Sequence, residues 1–273
     1  MSSILSPIEI CSKVYFLYAK KMDKQYTDIL IKISITVIVI IFLLVILIKR
    51  FLYFRPSYHF YNTQEPYKVI NHGHLHGWLL ENPQSQKIIL FCHGNRGNVS
   101  YCEYKVTTLK NLGYSVLVFD YSGYGKSSKV PSEQQLYDDA SAMIALLRQQ
   151  YSVDDIILYG ESMGGPIATY AARRYSIPTL ILEGPLPSVK IFIDYKHKFF
   201  NWLSFLFPEF DTYSYLHGYK GRSLLLHSPT DEVIPYQSTL HLQEIVTKHI
   251  PIDGSHSNPI IPWDEVKNFI EQV

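Results

Sequence analysis

Net charge is almost absent from this chain: 25 Lys and Arg stand against 24 Asp and Glu in 273 residues, leaving +1. A nucleic-acid binder carries a basic excess, so that class is excluded as a main theme, and no acidic or basic tail weighs on the balance. Cysteine is scarce and odd in number, with only Cys11, Cys92 and Cys102. That excludes a disulfide scaffold and leans towards a reducing compartment. Glycine and proline, at 14 and 15, are too few for a collagen-like or low-complexity chain.

What is present is hydrophobicity, and it sits in one place. The mean hydropathy of −0.00 is high for a soluble chain. Residues 29–48 account for it: ILIKISITVIVIIFLLVILI, interrupted only by Lys32, Ser34 and Thr36. At about 1.5 Å per residue such a helix covers the roughly 30 Å hydrocarbon core of a bilayer, and a helix apolar on every face has no side for water. Lys32, in the first turn, can snorkel to the interface. The run follows a long polar lead, and Lys49, Arg50, Phe51, Leu52 and Tyr53 offer no small-x-small cleavage pattern, so an uncleaved single-pass anchor is expected rather than a signal peptide. Lys20, Lys21 and Lys24, offset by Asp23 and Asp28, balance Lys49, Arg50 and Arg55 across the span, so the charge rule nearly ties. Cysteine usage leans slightly towards a cytosolic domain. Cys11 lies well before the span, a poor position for a lipid-bearing residue. The organisation expected is an N-terminal segment 1–28, a transmembrane helix 29–48, a linker 49–66 and a folded domain 67–273.

Within that domain the apolar runs 87–92, 114–119, 155–159, 178–182 and 222–226 do not alternate, which suits parallel strands buried on both faces. Helical stretches at 99–112, 132–151 and 163–175 separate them, and 67–72 with 76–80 around Gly73 reads as a hairpin. Strand–helix alternation of this kind means an α/β fold, a mostly parallel sheet flanked by helices, with ligands beyond the carboxyl ends of the strands. An insertion at about 186–220, rich in Phe192, Phe199, Phe200, Trp202, Phe205, Phe207 and Phe210, is expected to form a short helical cap. Its aromatics would either line an acyl-chain pocket near the bilayer or simply pack the cap on the core.

The loops after those strands carry the chemistry. Gly160-Glu161-Ser162-Met163-Gly164-Gly165 is a G-x-S-x-G turn between a strand and an Ala-rich helix. A sharp strand-to-helix turn exposes the serine hydroxyl at a helix N-terminus, and the glycines relieve the crowding that such a turn creates. A serine nucleophile needs a base and an acid. Asp231 and His256 follow it in the order Ser, acid, His, each in a loop after a strand. Glu183, at the end of the run 178–182, is a rival acid; loop context and chain order favour Asp231. The oxyanion donors would be the backbone N–H groups of Met163 and of Asn95, in the loop His93-Gly94-Asn95-Arg96-Gly97-Asn98. His72, His74 and His76 alternate, but they flank a glycine turn with no cysteine or carboxylate cluster in the sequence beside them, so no metal and no cofactor are expected.

Gly77-Trp78, Phe91-Cys-His-Gly-Asn95, Phe119-Asp-Tyr-Ser-Gly-Tyr-Gly-Lys-Ser127, Pro131-Ser-Glu133 and Ile157-Leu-Tyr-Gly-Glu-Ser-Met-Gly-Gly165 together resemble the α/β-hydrolase superfamily. The likeness runs from about Val69 to the C-terminus. It is closer to the membrane-anchored α/β-hydrolase-domain group of lipid hydrolases and acyl-protein thioesterases. The resemblance implies an α/β-hydrolase fold and a serine hydrolase acting on acyl esters or thioesters, with an acyl-lipid or acylated-protein substrate at a bilayer. Carried over residue by residue, it makes Ser162 the nucleophile, His256 the base, Asp231 the acid, and Asn95 with Met163 the oxyanion donors. The chain departs from the family pattern at His227-Ser228-Pro229, where His-Gly is common, and at Gly254-Ser255-His256-Ser257, where Gly-His-Asn or Gly-His-Asp is common. A serine peptidase, a small-ester esterase and a catalytically silent membrane scaffold are the alternative readings of the same motifs.

Overall fold

The structure, a computed structural model, describes residues 7–47, 53–63, 66–196 and 198–272, and the side chains of residues 7–10, 17–19, 200 and 203 lie outside that description. Ile48, Lys49 and Arg50, which close and flank the apolar run, and the Phe200 side chain are therefore outside it. The chain divides into two units, Met1–Leu47 and Ile48–Val273.

The first unit is one helix, α1 (Pro7–Leu47). No break separates the polar lead from the apolar run, because nothing between them is a helix breaker. Within the helix the stray hydroxyls turn inward: Thr27 Oγ1 donates to the Asp23 carbonyl at 2.8 Å and Thr36 Oγ1 to the Lys32 carbonyl at 2.9 Å. The Thr36 bond gives one of the hydroxyls of the apolar run a backbone partner. By length and composition α1 is able to cross a membrane.

The second unit is built on an eight-stranded sheet: β1 (Lys68–His72), β2 (Leu75–Leu80), β3 (Ile88–Cys92), β4 (Ser115–Phe119), β5 (Ile156–Glu161), β6 (Thr179–Glu183), β7 (Arg222–His227) and β8 (Lys248–Pro251). Their spatial order is β1-β2-β4-β3-β5-β6-β7-β8. β2 runs antiparallel to both its neighbours, and β3 to β8 are parallel. The mostly parallel sheet expected from the unalternating runs is what forms. Ile88, Leu90 and Cys92 of β3 join one core, with the helices α3 (Glu133–Leu147) and α4 (Gly164–Tyr175); Ile89 and Phe91 join the other, with α2 (Glu103–Asn111). The central strand β3 thus feeds both cores and is apolar at every position.

Helix starts follow their signals. Ser132 caps α3, its Oγ accepting the Gln135 N–H at 3.2 Å. Between β6 and β7 lie α5 (Val189–Lys196), a 3-10 stretch Lys198–Leu206 and α6 (Thr212–His217). The Glu133 carboxylate ties this region to α3 by accepting the N–H groups of Glu209 and Phe210 at 2.6 and 2.8 Å. Its aromatics divide: Phe210 is fully buried, whereas Phe199, Trp202 and Phe205 are exposed. The chain closes with α7 (Leu240–Gln243) and α8 (Trp263–Glu271), the latter set on the second core by Val266, Phe269 and Ile270.

Two of the alternating histidines are held by buried carboxylates. His76 Nδ1 lies 2.7 Å from Asp120 Oδ2, and His74, in the turn after Gly73, has Nε2 3.0 Å from Asp139 Oδ1. Among the described residues no group of His, Cys, Asp and Glu is arranged to hold a metal ion.

Candidate active site

Ser162 sits between β5 and α4 with φ +53, a left-handed backbone that a non-glycine residue rarely adopts. The turn is pinned by its own backbone: the Ser162 N–H donates to the Glu183 carbonyl at 2.9 Å, and the Ser162 carbonyl accepts from Gly165 at 2.9 Å and Leu186 at 3.0 Å. Glycine is needed around it for space. A Cβ on Gly160 would lie 2.6 Å from the Gly164 carbonyl oxygen, one on Gly165 would lie 2.6 Å from Pro185 Cβ, and one on Gly164 would run into the Cys92 carbonyl. Gly164→Ala is therefore expected to cost about 3 kcal/mol of stability or more, since backbone and not a flexible side chain would have to move. Denaturant unfolding of the full chain measures it.

The structure brings the three predicted side chains together. Ser162 Oγ lies 3.0 Å from His256 Nε2, and His256 Nδ1 lies 2.7 Å from Asp231 Oδ2. The loop expected to carry His256 is a small hairpin, Asp253–Ser255 paired with Asn258–Ile260, with His256 at its turn and Gly254 at φ +94. Asp231 is near the end of a loop after β7, with its side chain buried. A hydroxyl, an imidazole and a carboxylate in this sequence can pass a proton from oxygen to nitrogen while the carboxylate stabilises the imidazolium that results.

Residues 83–220 match the Hydrolase_4 family, described as serine aminopeptidase, S33. The chain belongs to this family of α/β-hydrolases. Alpha/beta hydrolase domain-containing protein 17C of Homo sapiens is 30% identical over 199 residues, 69% of this chain and 59% of that protein. The 17B protein of Xenopus tropicalis is 28% identical over 203 residues, covering 70% of this chain and 68% of that one. The hydrolase spans about 60% of the length of the 17C relatives it matches. Among solved structures, an esterase from Pyrococcus furiosus overlays with a TM-score of 0.64 at 20% identity, covering 80% of this chain and 97% of the esterase. The ferulic acid-bound Est1E of Butyrivibrio proteoclasticus overlays at 0.59 with 16% identity, covering 75% and 96%. These two likenesses speak to the fold.

In this α/β-hydrolase the carboxylates near Ser162 have separate attachments. Burial by itself would raise the Asp231 pKa. Hydrogen bonds from His227 and His256, the charge of His256 and the N–H of Ile234 outweigh burial and hold it well below the usual carboxylate range. Glu183, the rival acid, is turned to other partners: its Oε1 meets Lys105 Nζ at 2.5 Å and its Oε2 accepts from the Tyr159 hydroxyl at 2.6 Å. Lys105 also holds Glu161 Oε1 at 2.8 Å. Burial drives Glu183 upward, while Lys105 overcomes burial at Glu161 and lowers it. A small cavity beside the three residues is lined by Glu161, Glu183, Gly184, His227, Asp231 and His256.

Several supporting contacts had no clear signal in the sequence. His227 Nε2 lies 3.2 Å from Asp231 Oδ2, so the acid faces two histidines. The His256 N–H donates to Glu232 Oε2 at 3.0 Å. Ser228 donates to the Gly254 carbonyl at 2.5 Å and so ties the Asp231 loop to the His256 hairpin. Gly94, the neighbour of Asn95, comes close to Ser162, since a Cβ added to it would lie 3.5 Å from Ser162 Cβ, and Met163, the residue after Ser162, stands at the N-cap position of α4. Asn98, in the only N-x-S/T triplet, is buried, and its Nδ2 is spent on the Ser57 and His59 carbonyls at 2.9 and 2.8 Å.

Proposed function

We propose that this α/β-hydrolase is a membrane-anchored serine hydrolase that cleaves acyl esters or thioesters, the acyl group coming from a lipid or an acylated protein. The reading rests on one observation, the unbroken relay from Ser162 Oγ through His256 to Asp231 at 3.0 and 2.7 Å. Ser162 Oγ attacks the carbonyl carbon as His256 Nε2 takes its proton. The tetrahedral oxyanion lies at the N-terminus of α4, where the Met163 and Asn95 N–H groups and the helix dipole favour negative charge. Collapse breaks the bond to the leaving oxygen or sulfur, which takes the proton from His256 and leaves an acyl-Ser162. Water, deprotonated by the same imidazole, then releases the acid. No step needs a metal or a cofactor.

Two features support the membrane setting. α1 has the length and composition of a spanning helix. Phe199, Trp202 and Phe205 form an exposed aromatic set in the cap, a surface that water does not favour and a lipid interface does. A peptide amide is the second reading, favoured by the description of the matching family.

A substrate panel on the full chain in membranes tests these readings. Long-chain acyl thioesters and esters are expected to turn over at least about ten times faster, as kcat/KM, than acetyl esters or aminoacyl anilides; each buried methylene contributes about 0.8 kcal/mol. A preference for acetyl esters would argue against the long-chain view, and a preference for anilides would favour the peptidase.

A further inference from the structure

The stretch read as a linker is part of the folded unit. Phe54 is buried between Tyr124, with ring centroids 6.5 Å apart, and Phe210, at 6.2 Å. From Tyr53 to Tyr61 the chain runs along the loop that follows β3, the loop that carries Asn95. Asn95 Nδ2 donates to the Tyr53 carbonyl at 2.7 Å, and its Oδ1 accepts from the Arg55 N–H at 3.1 Å and from the Tyr124 hydroxyl at 2.7 Å. Arg55–Pro56 pairs in parallel with Arg96–Gly97, and the Ser57 N–H donates to the Gly97 carbonyl at 3.0 Å. Asn98 completes the seam through its two bonds to the Ser57 and His59 carbonyls.

This density of bonds has a mechanical reason. The loop has Gly94 on one side of Asn95 and Gly97, at φ +93, on the other. Glycines on both sides leave the intervening backbone soft. Yet an oxyanion donor must be held near 3 Å from an atom that exists only in the transition state, and reorganisation at that moment costs rate. The Asn95 side-chain amide is spent on the Tyr53 carbonyl, the Arg55 N–H and the Tyr124 hydroxyl, which fixes the residue whose backbone N–H the reading above assigns to the oxyanion. In sequence Tyr53 stands six residues after Leu47, where α1 ends.

We propose that the strap Tyr53–His59 is a positioning element for the oxyanion loop, acting through the Asn95 and Asn98 side chains. The segment that follows the apolar helix in sequence and the loop that carries Asn95 are then one hydrogen-bonded unit. The proposal rests on the triad reading above for its catalytic consequence, and on the hydrogen-bond seam alone for its mechanical one.

The experiment uses the full chain with two substitutions that each remove one bond to Asn95 Oδ1. Tyr124→Phe deletes the hydroxyl and keeps the ring against Phe54; Arg55→Pro deletes the backbone N–H. Arg55→Ala, which retains that N–H, is the conservative partner. Each bond-deleting variant is expected to lower kcat about 10- to 100-fold with KM within about twofold, as for a misplaced catalytic group. Each should slow fluorophosphonate labelling of Ser162 without lowering its final extent, and melt within a few degrees of the parent. Arg55→Ala should keep the parent kcat. Hydrogen exchange of amides 93–99 should quicken in both deletion variants and not in Arg55→Ala. Parent-like kcat in both deletion variants, or exchange in the loop that does not change, overturns the strap proposal. A parent chain that takes no label sinks the triad reading instead, and the exchange measurement still decides the strap.

Discussion

Alanine at position 162 is expected to lower turnover by about 10⁵- to 10⁶-fold and to abolish labelling by a fluorophosphonate, while the folded chain remains. Removing the nucleophile of a triad costs on this scale because the remaining groups have no covalent step to assist. The fold should survive for a specific reason. Alanine keeps the Cβ of residue 162, and the three backbone bonds that pin the turn do not involve the hydroxyl. The backbone at φ +53 is as strained for alanine as for serine, so the substitution adds no conformational penalty. Only the bond to His256 is lost. The expected pattern is therefore parent-like unfolding with no label and no turnover of an activated ester. Undiminished labelling of a folded Ser162→Ala chain would sink the assignment of Ser162. Parent protein that folds with this geometry yet hydrolyses nothing on the panel would revive the silent scaffold.

Much of the fold was legible because its strongest constraints are local. A strand buried on both faces is apolar through its middle, and β3, β4, β5, β6 and β7 advertise this as runs such as Ile88–Cys92, Val116–Phe119 and Leu224–Leu226, with polar residues at their ends. The turn at Ser162 was legible because Gly160, Gly164 and Gly165 each have backbone or proline where a Cβ would go. Asp231 and His256 were legible through chain order and their place in loops after strands, since no motif as specific as the serine turn surrounds them. Tyr53–Tyr61 was not legible as part of the domain. Its bonds run to residues about 40 positions away, through main-chain carbonyls and two asparagine amides that leave no periodic trace. The same holds for the bond from His227 to Asp231, where the residue looks like a core histidine at a strand end. The cap aromatics carry one sequence signal and two fates. Phe210 is drawn into the core by Tyr53, Phe54 and Tyr137, and Phe199, Trp202 and Phe205 are left outside. No count of phenylalanines separates those cases.

Asp231→Asn is expected to lower kcat by about 10⁴-fold with little change in KM, and Glu183→Gln by less than about tenfold. The amide in place of the carboxylate can still occupy the position, but it no longer holds the His256 tautomer whose Nε2 accepts the serine proton, nor does it stabilise the imidazolium. Glu183 lacks this influence by geometry, because its two oxygens are committed to Lys105 and Tyr159. Equal losses in the two variants would return the acid assignment to Glu183. The same carboxylate also leaves a mark on stability. Its pKa in the folded chain is depressed below the ordinary value of 3.8. The stabilisation it contributes is therefore fully present above that ordinary value and is lost as pH falls through the depressed one. Denaturant unfolding at neutral pH should find Asp231→Asn less stable than the parent, and the gap should narrow as the pH is taken below 3.8. A gap that stays constant into that range would mean that His227 and His256 do not hold the Asp231 carboxylate ionised, and the relay would lose its acid.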